Sequence, residues 1–405
     1  MIRWRFVPAM LAALTGAVIS IAHATSFAAS PQPQQAPTMP PTAPTADAFS
    51  FAFWQTVQTH SQETNRIVSP ISAYLALAML YNGAAGTTQQ AMAQALHISG
   101  IPIETINRQA QGTLERLNAG TDAQIQLQLA NSLWLNQGIP IRPAFVAASQ
   151  RFYGAEVRTL PFDLAALEAI NGWAREKTSG KIPGILDAID SRGIAYLLNA
   201  VYFKGNWTRA FQPQLTQPQP FTLANGETIS HPLMSQMGSF AYLETDLFQA
   251  VRLPYGESGA VTMTVVLPKG NLEEFYRQLN PGTWKTWQEQ FQEKLGSLKL
   301  PRFQTEATFD LKPMLAQLGM EIAFTGAADF SALTPEPAAV SRVIQKTFLE
   351  VNETGTEAAA VTAIGVARLA APIDTFTMVV DRPFFLVIGT AEEILFMGDV
   401  RDPRS

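Results

Sequence analysis

Apolar and polar positions along this chain fall into two rhythms. The run ISAYLALAMLYNGA after Ser69-Pro70 is apolar nearly all round, and it predicts a helix that stops at Gly83. Ser69 is expected to cap that helix by accepting a backbone N–H, with proline in the first helical position. Thr87–Ile98 carries Ala91, Ala95 and Ile98 at helical spacing, and Leu164–Lys177 repeats the pattern with Leu167, Ile170 and Trp173. Both predict core-facing helices. The period then changes to two. Alternation over Gln124–Leu129, and apolar runs at Ala195–Phe203, Val261–Leu267, Phe376–Val380, Phe384–Ile388 and Ile394–Met397, predict strands. Helices dominate the first half and strands the second, with no regular β–α alternation. The expected class is α+β with largely antiparallel sheets.

One stretch fits both rhythms. Glu350–Pro372 reads EVNETGTEAAAVTAIGVARLAAP. Alanine favours helix, so TEAAAVTA predicts a short surface helix ended by Gly365. At period two, Thr356, Ala358, Ala360, Thr362, Ile364 and Val366 share one face without a charge, and ten residues separate Glu357 from the next charge, Arg368. A segment so small and uncharged suits the middle of a sheet. Gly355 supplies a pivot at its start. Patterning alone leaves helix and buried strand both open.

The length of 405 residues predicts two or more domains, and 47% hydrophobic with 15% charged residues predicts a globular chain. A net charge of -5 without a basic patch excludes a typical nucleic-acid binder. At the N-terminus Arg3 and Arg5 precede an apolar run from Phe6 to Ala22, and Ala22-His23-Ala24 is a small-x-small pattern. This predicts a secretory signal peptide over residues 1–24. The rival reading, an uncleaved anchor, is opposed by Pro8 and Thr15 within a short run. Losing two of 28 basic residues would leave 26 against 33 acidic ones, a net of -7. Ser30–Thr45, SPQPQQAPTMPPTAPT, is a Pro/Gln tether, so 25–46 is expected as a linker and 47–405 as the folded unit. Gln212–Pro220 and Thr334–Ala339 read as long surface loops, with domain linkers as the alternative.

Candidate chemistry is sparse. Cysteine is absent, which excludes disulfides, thiolate metal sites and a cysteine nucleophile. The nucleophile elbow, zinc helix, phosphate loop and dinucleotide fingerprint are missing. His60, His97 and His231 lack partners at metal-ligand spacing. No metal and no cofactor are expected, and a hydrolase triad assembled from distant Ser, His and Asp stays as a competing reading.

EVNETGTEAAA resembles the reactive-loop hinge of the serpins, the serine-protease inhibitor family. NRIVSPISAYLALAMLYNGAAGTT from Asn65, NGWAREKTSGKI from Asn171, LLNAVYFKGNW from Leu197, VVDRPFFLVI from Val379 and ILFMGDVRDP from Ile394 are similar to further family signatures, in family order. The resemblance covers nearly the whole chain after the linker and suggests an exported, bacterial-type member. It implies a single domain of three β-sheets and eight to nine helices with an exposed reactive-centre loop, against the two-domain prior. It implies a suicide substrate and not an enzyme. A serine protease cuts the loop, and the loop inserts into the central sheet before the acyl-enzyme is hydrolysed. The hinge maps onto Glu353, Gly355, Thr356, Glu357, Ala358, Ala359, Ala360 and Val361, while Thr354 departs from a usually charged position. Counting fifteen residues from Gly355 puts the reactive bond at Leu369–Ala370, which implies chymotrypsin-, cathepsin G- or elastase-like targets. The alternative, Arg368–Leu369, implies trypsin-like ones. The family's shutter maps onto Ser69, Ser72, Asn199 and Gln345, the last standing where the family usually has histidine, and its breach maps onto Trp207. The partner implied is a serine protease. A monomer that binds neither nucleic acid nor, once mature, membrane is expected, secreted or periplasmic. The second reading is a non-inhibitory serpin, a carrier, chaperone or storage protein that is merely cleaved. Without a Lys/Arg cluster, no glycosaminoglycan activation is expected.

Overall fold

The computed structural model describes residues 43–119, 124–356 and 374–404. The expected signal peptide and residues 25–42 lie outside them. Pro41–Ser405 forms one compact unit. Its first helix, α1 (Ala43–His60), starts ahead of Asp47, inside the stretch read as linker. Pro44 does not prevent this, because a proline in the first turn gives up no intrahelical bond.

The remaining helices are α2 (Pro70–Tyr81), α3 (Gly86–Ala95), α4 (Ile103–Ala119), α5 (Pro143–Tyr153), α6 (Leu164–Lys177), α7 (Leu272–Gln278), α8 (Pro281–Glu289) and α9 (Lys312–Leu315). Nine α-helices are thus present among the described residues. The strands are β1 (Arg66–Val68), β2 (Ile125–Asn136), β3 (Glu156–Leu160), β4 (Ala195–Asn206), β5 (Gln217–Thr222), β6 (Thr228–Glu244), β7 (Phe248–Tyr255), β8 (Val261–Pro268), β9 (Gln292–Pro301), β10 (Phe303–Asp310), β11 (Val340–Val351), β12 (Gly355–Thr356), β13 (Phe376–Val379), β14 (Phe384–Gly389) and β15 (Ile394–Val400).

Hydrogen bonding joins them into a six-stranded sheet, ordered β10-β11-β4-β2-β3 with β12 attached to β4, and a nine-stranded one, ordered β1-β15-β14-β8-β7-β6-β9-β13 with β5 attached to β6. The nine-stranded network has two lobes that share the 17-residue β6: its start pairs with β5, its middle with β9 and its last four residues with β7. The described strands thus form two hydrogen-bonded sheets, where the resemblance implies three. The fold is the α+β arrangement expected, with parallel pairing confined to β2·β3, β4·β11 and β9·β13.

Gln212–Pro220 is not simply a loop, since β5 begins at Gln217. Pro218 and Pro220 fit there because β5 pairs only with β6, so their missing N–H groups break no second ladder. All twelve residues of α2 are buried. A helix that is apolar all round has to be enclosed on every side, and α2 lies against β2, β4 and β15, between the two sheets. A smaller core covers the other face of the six-stranded sheet, where Ile170 and Trp173 of α6 and Ile182 and Ile185 pack against Trp134, Tyr196, Tyr202 and Phe348.

Candidate functional site: a slot between two parallel strands

β4 and β11 lie side by side and run parallel, paired from Val340↔Ala195 to Phe348↔Tyr202 with one register shift between Val340 and Arg342. That pairing stops while both strands run on, to Asn206 and Val351. Two parallel neighbours define a place where one antiparallel strand could pair with both.

The chain turns into that place immediately after β11. The Asn352 N–H donates to the Gly355 carbonyl (2.8 Å), the Gly355 N–H donates back to Asn352 (3.2 Å), and the Asn352 side-chain oxygen accepts from the Thr354 N–H and hydroxyl. After this tight turn β12 returns antiparallel along β4, with Gly355 opposite Asn206 and Thr356 opposite Gly205. Only glycine serves at 355: its φ is +140°, and an added Cβ would stand 2.1 Å from the Gly205 carbonyl oxygen.

Trp207 floors the turn. Its ring stacks on Tyr255 at 4.3 Å, its indole N–H donates to the Asn352 carbonyl (2.9 Å), and its backbone N–H donates to the Thr354 carbonyl (2.8 Å). Glu353 is buried beside it, accepting from the Thr216 hydroxyl (2.8 Å), with the Arg302 guanidinium at 3.8 Å. Nearby, burial pushes the Tyr202 phenol up, with Glu350 adding to the effect.

Beneath the sheet, Gln345 joins the two halves of the slot. The side-chain oxygen of this fully buried residue accepts from the Ser69 N–H (2.9 Å), and its amide donates to the Ser69 carbonyl (2.9 Å) and to the Asn199 side-chain oxygen (2.7 Å). The Asn199 amide in turn donates to Ser72 and to Asn131 (2.5 Å). The structure thus brings Ser69, Ser72, Asn199 and Gln345 together. It corrects one expectation: the Ser69 hydroxyl caps no N–H and has no hydrogen-bond partner. The Gln345 amide engages the Ser69 backbone instead, holding the start of α2.

Asn131, Thr216 and Arg302 were not anticipated. Asn131 left a trace in the sequence, an amide inside the run LANSLWL. Thr216 and Arg302 left none, since each is an ordinary polar residue far along the chain from Glu353. Glu357, Ala358, Ala359, Ala360, Val361, Arg368, Leu369 and Ala370 lie outside the described residues.

Removing the Gln345 amide is expected to be costly. Gln345→Leu would strand the Ser69 N–H and the Asn199 oxygen in the core, at about 1–3 kcal/mol each. Urea unfolding of the intact variant should show stability lowered by about 2–6 kcal/mol, seen as a lower midpoint with an unchanged denaturant slope. An unchanged midpoint would mean that the amide holds nothing.

Residues 44–403 match the family model described as Serpin (serine protease inhibitor), and the chain belongs to the serpin family. It is 33% identical over 378 residues to the leukocyte elastase inhibitor of Bos taurus, covering 88% of this chain and 97% of that one. To the alpha-1-antichymotrypsin of Homo sapiens it is 31% identical, covering 88% and 86%. Among solved structures it is similar to the thermophilic serpin tengpin in its native state (TM-score 0.82, 29% identity, 89% and 93% covered). It is also similar to human thyroxine-binding globulin complexed with thyroxine (TM-score 0.82, 27% identity, 89% and 98% covered). The relatives span mammals and archaea, so nothing in them assigns a bacterial type.

Proposed function

We propose that this protein inhibits a serine protease as a suicide substrate. The observation that carries the reading is the antiparallel return of β12 along β4, at the mouth of a slot walled by two parallel strands. Extending that register one residue at a time sets Glu357 opposite Lys204, Ala360 opposite Val201 and Thr362 opposite Asn199. The one charge in the stretch would then meet a lysine at the mouth, and the one hydroxyl at mid-depth would meet the shutter amide.

The protease serine attacks the Leu369 carbonyl, the Ala370 amine leaves, and the ester so formed is carried away as the loop enters the slot. The hinge residues Glu353–Val361 begin that movement, and Leu369 selects chymotrypsin- or elastase-like enzymes, with cleavage after Arg368 as the trypsin-like alternative. Similarity to an elastase inhibitor and an antichymotrypsin supports inhibition. Similarity to thyroxine-binding globulin favours the second reading, a carrier cleaved without trapping anything. Export through removal of residues 1–24, and action as a monomer outside the cytoplasm, belong to the same proposal. No helix among the described residues is long and apolar enough to cross a membrane.

The test is incubation with chymotrypsin, elastase and trypsin followed by denaturing gels. A covalent band near the summed masses is expected, with release of the 36 residues Ala370–Ser405. Clean cleavage without that band would establish the carrier reading.

A further inference from the structure

The turn between β14 and β15 carries a carboxylate that the fold buries without satisfying. Thr390 builds the turn: its hydroxyl accepts the N–H groups of Glu392 (3.2 Å) and Glu393 (3.0 Å), and its own N–H donates to the Glu393 carbonyl (3.0 Å). Glu393 is left only 4% exposed. One of its carboxylate oxygens, Oε1, accepts from the Thr113 hydroxyl (3.3 Å) and the Arg116 guanidinium (3.0 Å), both on α4. The other, Oε2, is buried and has no hydrogen-bond partner among the described residues. An ionised oxygen so placed is costly, and a proton on it removes the charge.

The surrounding charges do not make good the deficit. Arg116 also pairs with Glu392 (3.3 Å), so one guanidinium serves two carboxylates. A third carboxylate, Asp47 of α1, stands close enough to oppose the ionisation of Glu393. Asp47 is half-buried, just ahead of the fully buried Phe49, where α1 enters the core. Burial alone pushes its carboxyl up to about 6. Burial likewise raises Glu393, against the pull of Arg116 and Thr113 and with Asp47 adding to the rise. The other elements packed on α1 bring Lys285 and Glu289 on α8, Lys312 on α9, Arg66 on β1 and Asp399 on β15, and none of these contributes to either shift. α2 brings only Tyr74 and Tyr81.

We propose that Asp47, Glu393 and Arg116 form a proton-operated latch, which fastens the start of α1 to α4 and the β14–β15 turn in acid and loosens it at neutral pH. Both carboxyls hold a proton more tightly in the folded chain than in the unfolded one. The latch is therefore fully made below the ordinary carboxylate range, near pH 4, and is lost as pH rises through about 6. It involves neither loop insertion nor a protease, so it stands or falls apart from both functional readings. Hydrogen exchange of the full chain tests it, read over residues 47–53 and corrected for the intrinsic effect of pH on exchange. Protection there is expected to fall about tenfold between about pH 5 and about pH 7.5, the factor that one pKa unit of differential proton binding carries, while α2 stays protected at both. Asp47→Asn, with an amide in place of the protonated carboxyl, should keep the acid level of protection at both values. Calorimetry of the same variant should show a midpoint about 1–2 °C above the unsubstituted chain at neutral pH and level with it in acid. Equal protection of the unsubstituted chain at the two pH values, or the same pH dependence in Asp47→Asn, would overturn the proposal. So would an Asp47→Asn chain less protected than the unsubstituted one in acid, since Asp47 would then be a structural partner and not a proton carrier.

Discussion

Cutting the purified protein between Leu369 and Ala370 is expected to raise its thermal midpoint by on the order of 10–20 °C. Eight parallel register pairs hold β4 to β11 in the intact chain. Insertion replaces this single ladder with two antiparallel ones and adds about ten residues, Glu357 to Val366, to the sheet. Ordering those residues costs about 1–2 kcal/mol apiece. Burying Val361, Ile364, Val366 and the alanines, at about 1.5–3 kcal/mol per large side chain and about 0.8 per methyl, roughly offsets that cost. What remains is the net gain of the new hydrogen bonds, about 1 kcal/mol per residue, or on the order of 10 kcal/mol. With an unfolding entropy of about 2.1 cal/mol/K per residue, a folded unit of this length shifts by about 1 °C or a little more per kcal/mol. Calorimetry of intact and elastase-nicked samples measures the difference directly. Coincident midpoints would mean that the intact fold stores nothing and that the slot between β4 and β11 does not open.

Much of this architecture is legible in local pattern. The nearly all-apolar run after Pro70 reads as a core-facing helix, and α2 is one, buried along its whole length. The strand runs from Val261 and Phe384 appear as β8 and β14, close to the predicted limits. Where reading failed, the deciding partner was distant in sequence. Ser69 looked like a cap because the rule is local, but Gln345, 276 positions away, takes over its backbone groups. Gln212–Pro220 read as a surface loop, yet from Gln217 it is strand β5, whose prolines are tolerated because among the described strands β5 pairs with β6 alone. The ambiguity of TEAAAVTA has the same origin: its helical and extended readings differ only in what surrounds it. The structure supplies those surroundings as far as Thr356, which pairs as strand.

The register also decides which face of the segment must stay uncharged. Cross-strand partners share a face. Val201, Leu197 and Phe203 of β4 belong to the main core with α2, whereas Tyr202, Ala200 and Leu198 point into the smaller core under α6. Continuing from Gly355↔Asn206, the positions Ala358, Ala360, Thr362, Ile364 and Val366 fall opposite the first set. This is the face on which the sequence places no charge. Ala360→Glu would bring a carboxylate beside Val201, which has no solvent exposure. Burying an unpaired charge costs several kcal/mol, enough to stall a strand that gains about 1 kcal/mol per residue as it zips in. The variant should still be cut at Leu369, since the substitution lies nine residues before the bond. The acyl-enzyme would then be hydrolysed before the loop is in. Per cleaved molecule, covalent complex on denaturing gels is expected to fall at least tenfold, with a corresponding rise in released 36-residue fragment without trapped protease. A complex yield equal to that of the unsubstituted chain would show that Ala360 never enters the sheet in this register.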